Sequence, residues 1–274
     1  MKLLLTTLLA SLALASAHAG LLVYEPYDHP AESEYPDLAT LDLDRMGKPA
    51  SEGGSGLTTP NQIFPDRLPL RIATEGLEYT DTAGRKLVTA GNAAIVQEGN
   101  SVFFLIYPPD AGDPFEALRS PENAKAIGHP GKEVWFSQLM HVSGPLHSGQ
   151  DFSFKLGGGQ TSLPIGYVNG SPNRPPSITV VSMGDKMPME SEHTYLLVGR
   201  MKYGESQAEN TFDLWIDPEI GMDTPSSDPA ISAKDIPLTF ENVMYSKRDA
   251  DELTVTFDEL RIGETFQDVT PAVP

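Results

Sequence analysis

The residues best suited to acid–base chemistry in this chain are carboxylates placed two positions apart. Hydrolysis of a glycosidic bond needs two carboxyl groups about 5–10 Å apart, and side chains two apart on a β-strand share a face. Glu190 and Glu192 have this spacing, but they fall between Pro188 and a predicted strand, in a predicted turn. Asp249 and Asp251 lie in a polar loop. Since neither pair has an aromatic neighbour that would desolvate one acid, the sequence does not favour catalysis by either.

The histidines and glycines give no catalytic spacing. Gln138 and His141 are three apart, so a strand would turn their side chains to opposite faces. His129 and His147 lie in predicted loops, and no H-E-x-x-H or H-x-H spacing supports a metal site. There is no G-x-S-x-G segment, and Gly157–Gly159 is followed by neither a lysine nor a helix, which excludes a phosphate-binding P-loop.

A second group of candidates carries the aromatic rings and amides that bind sugars. Aromatic faces stack on the C–H groups of a sugar ring, and amide side chains bind its hydroxyl groups. Tyr167, Asn169 and Asn173 lie in a predicted loop at a strand end, and Trp135 lies in a predicted strand. We take these four as the predicted ligand-binding residues. The alternative for Trp135 is a place in the core.

Composition limits the partners of this chain. Its 274 residues include 38 acidic and 19 basic side chains, which gives a formal net charge of −19. Such a charge repels phosphate backbones and anionic lipid heads, so we expect no nucleic-acid partner and no membrane insertion. The lack of cysteine excludes disulfides and thiolate zinc sites. Stability is therefore left to a core or a bound metal, and the oligomeric state stays open.

Residues 1–19 predict an export signal. Lys2 supplies the positive end, an apolar run follows from Leu3 to Ala15, and residues 17–19 read Ala-His-Ala, which fits the small-x-small cleavage rule. Cleavage there makes Gly20 the new N-terminus. A membrane anchor is the alternative, but the run is short for a span. We therefore predict a secreted protein, extracellular or periplasmic.

Beyond residue 20 the chain reads as a succession of short strands. Apolar segments alternate with clusters of Gly, Pro, Asn and Asp, and no helical periodicity is sustained. Residues 31–69 are polar and rich in Pro, Gly and Ser, which predicts a long loop region. The pattern predicts an all-β fold, a two-sheet antiparallel sandwich that forms one domain over residues 20–274.

The last predicted strand combines regular alternation with charge. Thr254 to Gly263 reads TVTFDELRIG, which has the period of two that is typical of a strand. Asp258 shares a face with Leu260 and Ile262, although a solvated loop would be the cheaper place for a carboxylate.

Three segments, in this order, resemble a known superfamily. They are YLLVGRMKYG from Tyr195, DLWIDP from Asp213 and FDELRIG from Phe257. The succession resembles the laminin-G-like, or concanavalin A-like lectin and glucanase, superfamily in its exported bacterial form, and the resemblance covers roughly residues 20–270. It implies a jelly-roll sandwich in which the first and last strands lie side by side.

The resemblance also implies a structural calcium ion. In that superfamily a carboxylate of the closing strand and oxygens of the N-terminal segment often bind calcium, which prefers several oxygen ligands. Asp258 matches the closing-strand carboxylate, and Glu25 or Asp28 would face it if the terminal strands pair. The alternative is that Asp258 caps a turn or faces water, and that Glu25 and Asp28 are surface charges.

The fold implied by the resemblance hosts lectins, glycosidases and lyases, so it does not name an activity. The paired-acid pattern E-x-D-x-E of jelly-roll glucanases is absent, and so is the Gln-x-His pair of alginate-type lyases. The leading hypothesis is a non-catalytic recognition module that binds a glycan. A polysaccharide-degrading enzyme and a structural protein of the cell envelope remain alternatives.

Overall fold

The computed structural model describes residues 20–35, 57–58, 70–97, 101–106, 115–158, 161–167, 177–180, 186–236 and 239–274. Three parts of the sequence predictions lie outside these residues: the export signal, Asn169 with Asn173, and most of the 31–69 loop region. The strands in chain order are β1 (Leu21–Glu25), β2 (Glu34–Tyr35), β3 (Leu57–Thr58), β4 (Leu70–Ile72), β5 (Ala94–Val96), β6 (Ser101–Ile106), β7 (Glu133–Ser143), β8 (Asp151–Gly158), β9 (Thr161–Tyr167), β10 (Ser177–Val180), β11 (Lys186–Pro188), β12 (His193–Lys202), β13 (Thr211–Ile216), β14 (Ile231–Lys234), β15 (Asn242–Arg248) and β16 (Thr254–Gly263).

Helical structure is slight in the described part of the chain. A four-residue helix, α1 (Phe266–Val269), follows the last strand, and single 3₁₀ turns lie at Glu116–Leu118 and Gln207–Glu209. No helix among the described residues is long and apolar enough to cross a membrane.

The described strands form two antiparallel sheets, which confirms the predicted fold class. The larger sheet has the order β14-β13-β12-β7-β16-β5-β4-β2, and β1 also pairs with β16. The smaller sheet has the order β11-β10-β9-β8-β15-β6-β3. The prediction that the two ends of the folded chain meet is confirmed, because Tyr24 pairs with Arg261 and Glu25 with Leu260.

An aromatic core joins the two sheets. Phe136 of the larger sheet lies 5.6 Å from Phe154 of the smaller sheet, and Tyr245 of the smaller sheet lies 4.7 Å from Phe257 of the larger one, measured between ring centroids. On β15 the buried residues alternate with half-buried ones, as expected of a strand with one face in a core. This packing establishes a sandwich rather than two independent sheets.

A second core covers the outer face of the larger sheet. It includes Tyr79 and Leu87 from the segment between β4 and β5, Trp135 and Trp215 from the sheet, and Phe266 from α1. The two tryptophan rings stack with centroids 5.4 Å apart. The larger sheet is therefore buried on both faces here, which explains why β16 is buried along all but its first residue.

We predict that Gly199→Ala destabilises the protein by about 1–3 kcal/mol, as overpacking does in other cores. Gly199 of β12 pairs with Phe136 of β7, and a Cβ at residue 199 would lie 2.0 Å from Cε1 of that ring. Urea unfolding of both proteins measures the free-energy difference. In a Phe136→Leu background the same substitution should cost less. An equal cost in both backgrounds would show that the ring contact is not responsible.

Candidate functional site

Two carboxylates and an arginine are buried together on the closing strand. The pairing of β16 with β7 shifts register between Asp258 and Arg261, and Glu259 adopts a positive φ of 56°. This is a β-bulge, which redirects side chains and is common next to functional sites. Asp258 and Glu259 are 0% exposed, and Arg261 is 1% exposed. Buried charges at this depth require specific partners.

The segment 76–90 supplies backbone partners to both carboxylates. The N–H of Leu77 donates to Oδ2 of Asp258 at 2.7 Å, and the N–H of Ala90 donates to Oε1 of Glu259 at 2.5 Å. Oδ1 of Asp258 also accepts the N–H of Glu259 at 2.7 Å. The bulge and the covering segment therefore fix the carboxylates from two sides.

Arg261 is the cation of this cluster. Its Nη2 donates to a carboxylate oxygen of Glu259 and, at 2.5 Å, to the carbonyl of Val88. Its guanidinium lies 4.9 Å from the centre of the Tyr24 ring, within the range of a cation–π contact. Within the described part of the chain, its Nε and Nη1 are buried and have no hydrogen-bond partner. Arg261 thus pairs directly with one of the two carboxylates of the bulge, that of Glu259.

The pKa of the Asp258 carboxyl is raised well above its usual range. Burial is the main cause and the nearby charge of Glu259 adds to it, while the two N–H donors and Arg261 partly offset the increase. Burial also raises the pKa of Glu259, against the effect of Arg261. The surroundings of Asp258 therefore disfavour its ionised form.

A chain of buried polar side chains links this cluster to the smaller sheet. Gln138 donates from Nε2 to the carbonyl of Asp258 at 2.5 Å, and its Oε1 accepts the hydroxyl of Tyr245 at 2.7 Å. The hydroxyls of Tyr245 and Tyr27 lie 2.5 Å apart. Burial raises the pKa of Tyr245, so this hydroxyl stays protonated and able to donate. Gln138 is thus a cross-sheet connector rather than a partner of His141.

The three predicted calcium ligands are not brought together as a set of side chains. Glu25 is 1% exposed, and its Oε1 accepts the N–H of Tyr27 at 2.9 Å, whereas Asp28 is exposed. Over the described ranges, no group of three or more His, Cys, Asp or Glu side chains is arranged to hold a metal ion. A site at Asp258 therefore needs backbone oxygens as further ligands.

Gly76 leaves space between Asp258 and one backbone oxygen. A Cβ at Gly76 would lie 3.1 Å from Oδ2 of Asp258 and 3.0 Å from the carbonyl oxygen of Gly91. A side chain would fill this space, and the carboxylate and carbonyl oxygens beside it are the donor type that calcium prefers. The chemistry of these two oxygens therefore suits a hard cation.

The two predicted sugar-binding rings that are described lie in the core. Trp135 is 4% exposed and stacks on Trp215, and Tyr167 is 3% exposed and packs 5.8 Å from Phe152. The Tyr167 hydroxyl donates to the carbonyl of His147 at 3.1 Å. Neither ring presents an exposed face. Burial favours the core alternative for Trp135, and Tyr167 lies buried at the end of β9 and not in a loop.

Of the two acids at the turn before β12, Glu192 acts as a turn cap. Oε1 of Glu192 accepts the N–H of Gly144 at 3.0 Å and the hydroxyl of Ser143 at 2.8 Å. These hydrogen bonds lower the pKa of Glu192, the N–H of Gly144 having the larger effect. A general acid needs the opposite shift. Glu190 does not pair with it and is exposed.

The outer face of the smaller sheet presents a strip of accessible side chains. Along β15 the residues Asn242, Met244 and Ser246 are half-buried and alternate with core residues. Met244 pairs with Lys155 of β8, which in turn pairs with Pro164 of β9, and both are half-buried. We call these five residues the β15 strip. Its signal in the sequence was the alternation in NVMYSKR.

The smaller sheet is poor in acids. Asp151, at the start of β8, is the one acidic residue in the strands that the structure describes there. Its Oδ2 accepts a hydrogen bond from Arg248 at 3.2 Å. A glycosidase needs two carboxyl groups across the scissile bond, and these strands supply one.

No protein-family model matches this chain, and no curated protein matches it. Solved structures do resemble it in part. A mutant of alginate lyase Aly36B in complex with an alginate tetrasaccharide has 11% identity and a TM-score of 0.39, with 92% of this chain and 99% of that chain covered.

Two further solved structures show similarity at the same level. A beta-1,3-glucanase from Mycobacterium marinum has 14% identity and a TM-score of 0.41, over 88% of this chain and 98% of that one. Lectin I-B4 from Griffonia simplicifolia has 13% identity and a TM-score of 0.35, over 70% and 92% of the two chains. Similarity this weak assigns no family and no activity, so the assignment of fold class rests on the two sheets themselves.

Proposed function

We propose that this protein is an exported, non-catalytic module that binds a neutral glycan on the β15 strip. The observation that carries the proposal is the row of half-buried side chains on one face of β15. The second core covers the outer face of the larger sheet around Trp135 and Trp215, whereas Asn242, Met244 and Ser246 on β15 keep part of their surface accessible. This row offers a ligand surface within the described part of the smaller sheet.

The chemistry of the β15 strip suits a sugar ring. The amide of Asn242 and the hydroxyl of Ser246 are groups that bind sugar hydroxyls, and Met244 with Pro164 offers apolar surface to C–H groups. The net charge of −19 disfavours an acidic polysaccharide. A neutral glycan is therefore the favoured ligand class.

The scarcity of acids supports binding rather than hydrolysis. In the described strands of the smaller sheet, Asp151 has no carboxylate partner and is held by Arg248. Cleavage at this face would need a second acid from elsewhere in the chain.

We predict that Asn242→Ala weakens glycan binding about 5–10-fold, the loss expected for one ligand hydrogen bond. Glycan-array screening of the wild type identifies a ligand, and calorimetry then compares the variants. Asn123→Ala, in an exposed loop, is the matched control and should bind as the wild type does. Equal loss in both variants, or none in the first, would place the ligand away from β15.

A reducing-sugar assay on the bound glycan separates binding from catalysis. The non-catalytic proposal expects no release by the wild type over prolonged incubation. Release that Asp151→Asn abolishes would instead establish an enzyme whose site includes β8.

We propose in addition that Asp258 holds a structural calcium ion with the carbonyl oxygen of Gly91 as a further ligand. The buried carboxylate lacks a cation of its own, since Arg261 pairs with Glu259. A divalent ion beside Asp258 would stabilise its ionised form and tie the segment 76–90 to the closing strand.

We predict that, with calcium removed by a chelator, the melting temperature of the wild-type protein rises as the pH falls from 8 to 5. The folded-state pKa of Asp258 is raised, so the protonated carboxyl favours the folded state. This stabilisation is complete at a pH below the ordinary pKa of an aspartate. That stabilisation is lost as the pH increases through the raised pKa. Calcium should raise the melting temperature at pH 8 and flatten this dependence.

Asp258→Asn serves as the control for both effects. The variant removes the titrating group, so its melting temperature should depend less on pH and should not respond to calcium, whatever its absolute stability. A calcium shift that survives this substitution would rule out Asp258 as the ligand.

A further inference from the structure

Asp268 lies where the two ends of the described chain come together. A Cβ at Gly20 would lie 2.4 Å from Oδ2 and 3.0 Å from Oδ1 of Asp268. A Cβ at Gly263, the last residue of β16, would lie 2.8 Å from Cβ of Asp268. The N–H of Glu264 donates to the carbonyl of Gly20 at 3.1 Å. The start of β1, the end of β16 and helix α1 are therefore in close contact around one carboxylate.

Only one oxygen of the Asp268 carboxylate accepts hydrogen bonds from the described residues. Oδ2 accepts the N–H of Thr265 at 2.9 Å and the hydroxyl of the same residue at 2.6 Å. The N–H of Asp268 in turn donates to Oγ1 of Thr265 at 3.2 Å, which completes a capping box at the start of α1. Within the described residues, both hydrogen bonds from Thr265 go to Oδ2, and Oδ1 of Asp268 accepts none. Asp268 is only half-buried, and so is Gly20. A negative charge thus faces the Gly20 backbone with acceptor capacity left.

Glycine at residue 20 allows this close approach. A side chain there would push the Asp268 carboxylate out of its present position, since contacts of 2.4 Å are far inside van der Waals distance. Backbone bonds of about 1.5 Å put the nitrogen of Gly20 within roughly 5 Å of Oδ2. An ammonium group at this nitrogen can reach the carboxylate by rotation about the Cα–C bond of Gly20.

We propose that the α-ammonium group of Gly20, created when the leader is removed after Ala19, forms an ion pair with Asp268. The inference depends on the proposed export and is independent of glycan binding. Before cleavage this nitrogen belongs to a peptide bond, with one N–H and no charge. Cleavage gives it three donors and a positive charge near pH 7. The processed chain therefore gains a contact between β1 and α1 that the precursor lacks.

The surroundings favour this pair over other partners for the new terminus. Glu264 is the other acidic residue adjacent in sequence to this junction, and it is exposed, with its backbone N–H already bound to Gly20. Asp268 is fixed by its capping contacts, so pairing costs little side-chain entropy. Preorganisation of this kind raises the value of a partly exposed ion pair.

A thermodynamic cycle tests the pair. Four proteins are made by cleavage of a fusion: chains that begin at Gly20 or at Ala19, each with Asp268 or with Asp268→Asn. Differential scanning calorimetry at pH 7 gives the melting temperatures. We expect the extra alanine to lower the melting temperature by about 2–4 °C in the Asp268 background, and to have no effect in the Asp268→Asn background.

The cycle also controls for damage to the capping box, because both Asp268→Asn chains carry it equally. An equal effect of the extension in the two backgrounds, or no effect in either, would overturn the ion pair. Mass spectrometry of the exported chain tests the export step separately. A start at Gly20 supports the inference, and any other start overturns it through the proposed export rather than through Asp268.

Discussion

The architecture depends on the position of the closing strand inside the larger sheet. Strand β16 pairs with β7 along one edge, and with β5 and then β1 along the other. The bulge at Asp258–Glu259 lies where the second edge passes from β5 to β1. One strand therefore orders three others, and its polar atoms must be satisfied without water.

The buried charges follow from that constraint. Strand β16 is covered on one face by the aromatic core and on the other by the segment 76–90, so Asp258, Glu259 and Arg261 have no access to solvent. Hydrogen bonds from the covering backbone make the burial tolerable. The same hydrogen bonds make the covering segment part of the folded unit and not a free loop. A cation at Asp258 would strengthen this connection.

The sequence predicted the fold better than the site. The alternation in TVTFDELRIG indicated the closing strand, and its pairing with the first strand is confirmed. Burial of Trp135 was harder to predict, because a strand pattern identifies two faces but not the layer of chain that covers each. The bulge could not be predicted for a related reason. The extra residue, Glu259, changes the pairing register of β16 with β7, and residue types alone do not mark such a change. The β15 strip was readable only once the core face of that strand was known.

The late position of β16 in the chain has a consequence for biogenesis. Residues 254–263 form the last strand of the described chain, yet they lie between strands made much earlier. The larger sheet cannot close while these residues remain in the ribosome, and contacts so distant in sequence form slowly. Residues 21–234, which carry the other strands of this sheet, are therefore synthesised before β16 exists to pair with them.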